Sequence, residues 1–182
     1  MSEFIPFDKN VEVSGKMVIT AVNSFPEFQK EIGLRLFEES GIRFPLKEDN
    51  WYDQSIFLSA LKNIAKEFGE HKLFEIGKLM PLKVILPSNV NTLEKAMKYI
   101  NKAYHANHRN GDIGVYEFIS FDREYNKITM RCRNPYPCDF DAGIITSIAR
   151  KFKKSVNVTY DPSKGISRKE GGNESWYIIS FQ

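Results

Sequence analysis

Ile128-Thr129-Met130-Arg131-Cys132-Arg133, then Asn134-Pro135-Tyr136-Pro137, then the run to Trp176-Tyr177-Ile178-Ile179-Ser180-Phe181, decide how this chain folds. The first six residues alternate as a half-buried strand does. The two prolines break the strand. Asp139 or Asp141 stands where a helix cap belongs, ahead of Ile144, Ile145, Ile148 and Phe152 at helical spacing. Val156-Asn157-Val158-Thr159-Tyr160 alternates again, Gly171-Gly172-Asn173 turns the chain, and residues 176–181 close it as a strand. One face of such a strand–helix–strand–strand tail must be covered from elsewhere.

The N-terminal half supplies the cover. Residues 1–13 read as a short arm, and Ser14 or Gly15 opens a segment through Val22 that suits helix or strand. Ser24-Phe25-Pro26-Glu27 starts a helix whose apolar face is Phe28, Ile32, Leu36 and Phe37, with Gly41 as its stop. Asn50 or Asp53 opens the next, carrying Phe57, Leu61, Ile64 and Phe68 up to Gly69. Leu73 to Leu79 adds further helical turns. Residues 82–87 suit either an extended or a helical state. Asn91 or Thr92 caps a helix with Leu93, Met97, Ile100 and Tyr104 on one side, ended by Asn110 and the glycines after it. Val115 to Asp122 is a strand, turned at Glu124-Tyr125-Asn126 into the strand at Ile128. The predicted class is α+β: an N-terminal helical half packed on a C-terminal four-stranded antiparallel sheet with one inserted helix (β-β-α-β-β), as a single domain over residues 1–182.

The totals narrow the function. A net charge of +3 does not point to nucleic acid. No apolar run approaches the roughly 20 residues of a membrane span. The N-terminus, with Glu3 and Asp8, does not read as a signal peptide. Two cysteines without a disulfide framework point to a reducing cytoplasm. Aromatic residues at 13 % suit both a filled core and a greasy pocket.

Ile128-Thr129-Met130-Arg131, Asn134-Pro135, Gly143-Ile144-Ile145, Ala149 through Phe152, Val156-Asn157-Val158-Thr159-Tyr160-Asp161 and the Gly171-Gly172-Asn173 ending together resemble the C-terminal half of H-NOX haem-nitric-oxide-binding domains. Asn101-Lys102-Ala103-Tyr104-His105 resembles the end of the helix that carries the iron ligand there. The resemblance covers roughly residues 50–182. It extends to the wider superfamily, which includes haem-free 4-vinyl-reductase-like sensor domains and TRAPP trafficking subunits. H-NOX domains hold the haem propionates with Tyr-x-Ser-x-Arg. Those places fall on Cys132, Asn134 and Tyr136 here, so the two-pronged guanidinium is missing. The same alignment puts Met97 at the axial-ligand position, and a shift of two turns puts His105 there. The resemblance implies the fold; the haem does not follow from it.

The remaining candidates carry bland readings beside functional ones. His105 and His108, three apart, share a face if helical. With Cys132 and Cys138 they make a two-histidine, two-cysteine metal set, or His105 holds haem iron, or His105 packs at a helix C-terminus. Arg109 with Asp112 reads as an anion loop or as a surface ion pair. Arg131 and Arg133 share a strand face, as a carboxylate grip or a solvated surface. Cys138 beside a helix N-terminus is a thiol of lowered pKa or a buried structural cysteine.

No acid–base constellation, phosphate loop or dinucleotide fingerprint marks an enzyme. The expected function is small-molecule sensing or regulation on an H-NOX-like fold, haem-free, signalling through a partner protein. A haem gas sensor using His105 or His108 and a ligand-free interaction subunit are the alternatives, and a homodimer is open. The ligand, an unknown small molecule, is expected between helices and sheet. Its wall would draw on Phe57, Leu61, Met97, Ile100, Tyr104, His105, Cys132, Tyr136, Cys138, Ile144 and Ile148.

Overall fold

The computed structural model describes residues 3–82 and 84–182; residues 1, 2 and 83 lie outside the described residues. A strand, β1 (Glu12–Ser14), runs directly into α1 (Gly15–Val22). There follow α2 (Glu27–Glu39), β2 (Trp51–Asp53), α3 (Gln54–Phe68), α4 (Glu70–Leu79), α5 (Leu93–Ala106), β3 (His108–Arg109), β4 (Val115–Asp122), β5 (Lys127–Arg133), α6 (Cys138–Arg150), β6 (Val156–Tyr160) and β7 (Ser175–Phe181). The class is α+β.

Local chemistry sets the helix limits. The Asp53 carboxylate accepts from Ser55 N at 2.6 Å and Ile56 N at 3.4 Å, which starts α3. Gly69, at φ +85°, lets the chain turn at once into α4. The Thr92 hydroxyl accepts from Lys95 N and opens α5.

β4 to β7 form an antiparallel sheet in the order β4-β5-β7-β6. The alternation seen in the sequence is real: Ile128, Met130 and Cys132 of β5 and Tyr177 and Ile179 of β7 are buried on one face. Met130 lies opposite Tyr177 and Ile128 opposite Ile179. α5 packs against β4, and α6 against β6 and β7. Behind them α4 meets α6 backbone to backbone. A Cβ on Gly77 would stand 2.1 Å from the Phe140 carbonyl oxygen, and one on Gly143 2.3 Å from that of Phe74. Both glycines are therefore required by close approach, not by turn geometry.

Several expectations need correction. The short arm expected over residues 1–13 is, among its described residues, built into the fold: β1 is the middle strand of a second sheet, β2-β1-β3, too short to show alternation. The arm also reaches α6, where Glu3 Oε1 accepts from Cys138 N at 2.6 Å. That long-range carboxylate serves the helix start, and Pro137, not Asp139 or Asp141, is the N-cap residue. Asp141 lies inside α6 and is fully buried. Phe28 is 83 % exposed, because Phe25, ahead of α2, lies over Gly33 and covers that side instead. α5 stops at Ala106, four residues before Asn110, since β3 pairs with β1. Around Lys83, residues 84–87 are neither helix nor strand.

Gly143→Ala and Gly77→Ala should each lower stability by about 2 kcal/mol or more, because backbone cannot step aside for the new methyl. Urea unfolding of each variant measures the loss, and an unchanged midpoint would contradict the contact.

Candidate functional site

α1, α5, α6 and the irregular stretches 80–82 and 84–86 line a cavity of about 490 Å³. Its buried wall is Ile100 and Tyr104 from α5, Tyr116 from β4 and Ile148 from α6, joined by half-buried Ile144. Met17 and Met80 add flexible apolar surface. Lys16, Glu48 and Lys151, all exposed, stand at its rim. The Lys151 ammonium donates to the Pro81 and Val84 carbonyls, at 2.8 and 3.3 Å, and so ties α6 to both stretches.

The two buried phenols of the wall, Tyr104 and Tyr116, commit their hydroxyls elsewhere. Tyr104 Oη donates to the Ile113 carbonyl, and Tyr116 Oη donates to the Asp141 carboxylate. Burial holds both phenols well above their usual pKa. Their rings, not their hydroxyls, are left to meet a guest.

Behind Tyr116 lies a buried polar cluster. Asp141 pairs with Arg168 and also accepts from Asn134 Nδ2 at 3.2 Å. Burial pushes the Asp141 carboxyl up, against the pull of the Arg168 guanidinium and the hydrogen bonds from Tyr116 and Asn134. The Arg168 fork further donates to Asn134 Oδ1 at 2.6 Å and to the Tyr136 carbonyl at 2.7 Å. Beside the cluster, His108 Nδ1 is 2.8 Å from the Tyr104 carbonyl, which can only accept. The proton therefore sits on Nδ1, and Nε2 accepts from Tyr136 Oη at 2.7 Å. Burial drives the His108 pKa down to about 4, partly opposed by the Tyr104 carbonyl.

Four of the eleven residues expected to contact a ligand line this cavity: Ile100, Tyr104, Ile144 and Ile148. Phe57, Leu61 and Met97 are fully buried core and are not on its wall. Cys132 and Tyr136 are buried in and around the polar cluster. His105 is exposed on the last turn of α5, its ring edge-on to Tyr104. His108 falls beyond the helix, so the two histidines do not share a helical face. Cys138 shares a hydrogen bond with Ser175 Oγ at 3.0 Å, and burial raises its thiol to about 11. The thiol is not activated, because desolvation, with the Glu3 carboxylate beside it, outweighs the pull of the Arg168 guanidinium. Arg109 pairs with Glu12 rather than Asp112, which is paired with Arg133; Arg131 is held between Glu117 and Glu174. Among the described residues, no three His, Cys, Asp or Glu side chains are grouped to hold a metal ion. Sequence reasoning missed Met17, Met80 and Tyr116, and above all Arg168. Pattern alone could have suggested Tyr116, on the inward phase of its strand; Arg168 has no local signal.

Comparison with known proteins matches this geometry to one fold. No family model and no curated protein matches the sequence. Among solved structures, an H-NOX protein from S. oneidensis in the Fe(II)NO ligation state superposes with a TM-score of 0.71 at 13 % identity, covering 93 % of this chain and 99 % of that one. An oxygen-binding H-NOX domain related to soluble guanylate cyclases gives 0.64 at 15 % identity, covering 93 % and 95 %. The fold is H-NOX-like.

The side chains present do not fit a haem. Among the described residues the cavity wall holds no histidine and no cysteine. Methionine, present as Met17 and Met80, normally ligates beside a histidine. Both His108 nitrogens are engaged, and Met97 is packed away from the cavity. At the positions matched to the propionate motif, Asn134 and Tyr136 are bonded to Asp141, Arg168 and His108.

His108 makes a measurable pH signature. Above about pH 6.5 its imidazole is neutral in folded and unfolded chains alike. Between there and about 4 the unfolded chain takes up a proton that the folded chain refuses. Stability attributable to this residue should thus fall by about 3 kcal/mol as pH drops across that interval. Comparing the pH dependence of unfolding in the wild type and His108→Gln isolates it; equal slopes would refute the assignment.

Proposed function

We propose that this chain, built on the H-NOX-like fold, is a haem-free sensing module that takes a small molecule into the cavity between α1, α5, α6 and the stretches 80–82 and 84–86 and passes its state to a partner protein. The observation that carries this reading is a cavity of about 490 Å³, within the range of small-molecule sites, whose wall among the described residues has no histidine or cysteine to hold iron. Its buried side chains are aliphatic or aromatic, with the phenol hydroxyls already bonded elsewhere. The ligand class that suits it has an apolar body, with any polar end at the rim near Lys16, Glu48 and Lys151. Ligand would shift the populations of two helix packings, and the partner would respond to one of them. Two free cysteines suit a cytoplasmic setting, and no helix among the described residues is long and apolar enough to cross a membrane.

A series of straight-chain alcohols tests the cavity. Each added methylene should tighten binding about fourfold until the space is full, from about 0.8 kcal/mol per buried methylene. Ile148→Trp should remove the trend. Calorimetry that shows no chain-length dependence, or none that Ile148→Trp alters, would defeat the reading. The fold neighbours' Fe(II)NO and oxygen complexes support the rival, a haem gas sensor. Expression with haem supplied should leave the protein without a Soret band, and a stoichiometric band would establish the rival.

A further inference from the structure

β6 and β7 are antiparallel neighbours, and a hairpin joining such strands needs only about 2–5 residues. Here residues 161–174 intervene, mostly exposed, with two short 3-10 turns at Pro162–Lys164 and Arg168–Glu170. Ser167 and Arg168 of this connection leave the surface, and Arg168, the longer, is 2 % exposed. Its guanidinium meets Asp141, Asn134 and the Tyr136 carbonyl, and its Nε lies 3.3 Å from Ser175 Oγ. Elsewhere the connection is tied to the body by Lys169 and Glu174, whose pairs with Glu70, Asp139 and Arg131 are partly exposed and screened by water, by the Tyr160 hydroxyl on the Gly165 carbonyl, and by Asp161 N on the Trp176 carbonyl.

Two routes lead from the cavity wall to this one guanidinium. Tyr116, a wall residue, donates its hydroxyl to the carboxylate that holds Arg168. Tyr104, also on the wall, packs its ring 4.4 Å from His108 and 5.0 Å from Tyr116. His108 in turn holds the Tyr136 hydroxyl, and the Tyr136 carbonyl accepts from Arg168. A buried charge pair of this kind tolerates the loss of a donor poorly, because the carboxylate is left under-bonded away from water. Small movements of either tyrosine should therefore be felt at Arg168.

We propose that the 161–174 connection is the output element of the cavity: a guest that displaces Tyr116 or Tyr104 loosens Arg168 and releases the connection for a partner to read. This rests on the ligand reading above and adds where the signal emerges.

Amide hydrogen exchange of the full chain tests it without knowledge of the natural ligand. Tyr116→Phe keeps the ring and removes the hydroxyl. Ala103→Leu adds bulk to the cavity wall next to Tyr104. Each should speed exchange across 161–174 by about tenfold while leaving α2 and α3 unchanged. Arg168→Lys, which keeps the charge but loses the fork, marks the rate of a released connection. In the double variant the Ala103→Leu effect should vanish, since the relay is already cut; a merely structural clamp would give additive effects. Unchanged 161–174 exchange in Ala103→Leu, or additivity in the double variant, overturns the output role and leaves the cavity reading intact. Xenon tests the cavity separately: a saturable 129Xe shift, abolished by Ile148→Trp, is expected, and its absence overturns the ligand reading and with it the output role.

Discussion

The buried pair of Asp141 and Arg168 is the constraint on which the site depends. Taking two charges out of water costs on the order of several kcal/mol per ion, and their attraction offsets this only where further hydrogen bonds saturate them. Saturation is what the surroundings provide: Tyr116 and Asn134 donate to the carboxylate, and Asn134, Tyr136 and Ser175 receive the guanidinium. These partners come from β4, the Asn134–Tyr136 breaker and β7, while the charges come from α6 and the 161–174 connection. The pair therefore fixes five separate pieces of chain at one point. A purely apolar core could hold the same layers, yet it would not dictate which way Tyr116 turns its hydroxyl.

That orientation shapes the cavity's chemistry. With Tyr104 and Tyr116 committed inward, the buried wall offers ring and aliphatic surface and no free donor. The H-NOX-like fold is shared with proteins described as binding NO and oxygen, at identities near 13–15 %. At that distance the likeness carries the fold alone, because layer packing needs only apolar periodicity whereas a cofactor needs particular atoms. The imidazole of His108 illustrates the difference. It sits just past α5, yet both nitrogens are absorbed by the Tyr104 carbonyl and the Tyr136 hydroxyl, and desolvation keeps it uncharged.

The order of elements in the C-terminal third, the face alternation of β5 and β7, and the starts of α3 and α5 were legible from sequence alone. Each depends on contacts within a few residues: alternation for a strand, a carboxylate or hydroxyl for a cap. Helical spacing placed Ile100, Tyr104, Ile144 and Ile148 on covered faces together with Phe57, Leu61 and Met97, and did not separate cavity wall from core. Tertiary structure alone decided that Glu3 serves the start of α6, that β1 is a middle strand, and that Phe25 displaces Phe28 from the covered side of α2. It alone brought Arg168 beside Asp141, 27 positions away in the chain. Periodicity records which side chains avoid water. It does not record which distant charge will meet which, and that pairing sets the character of the site.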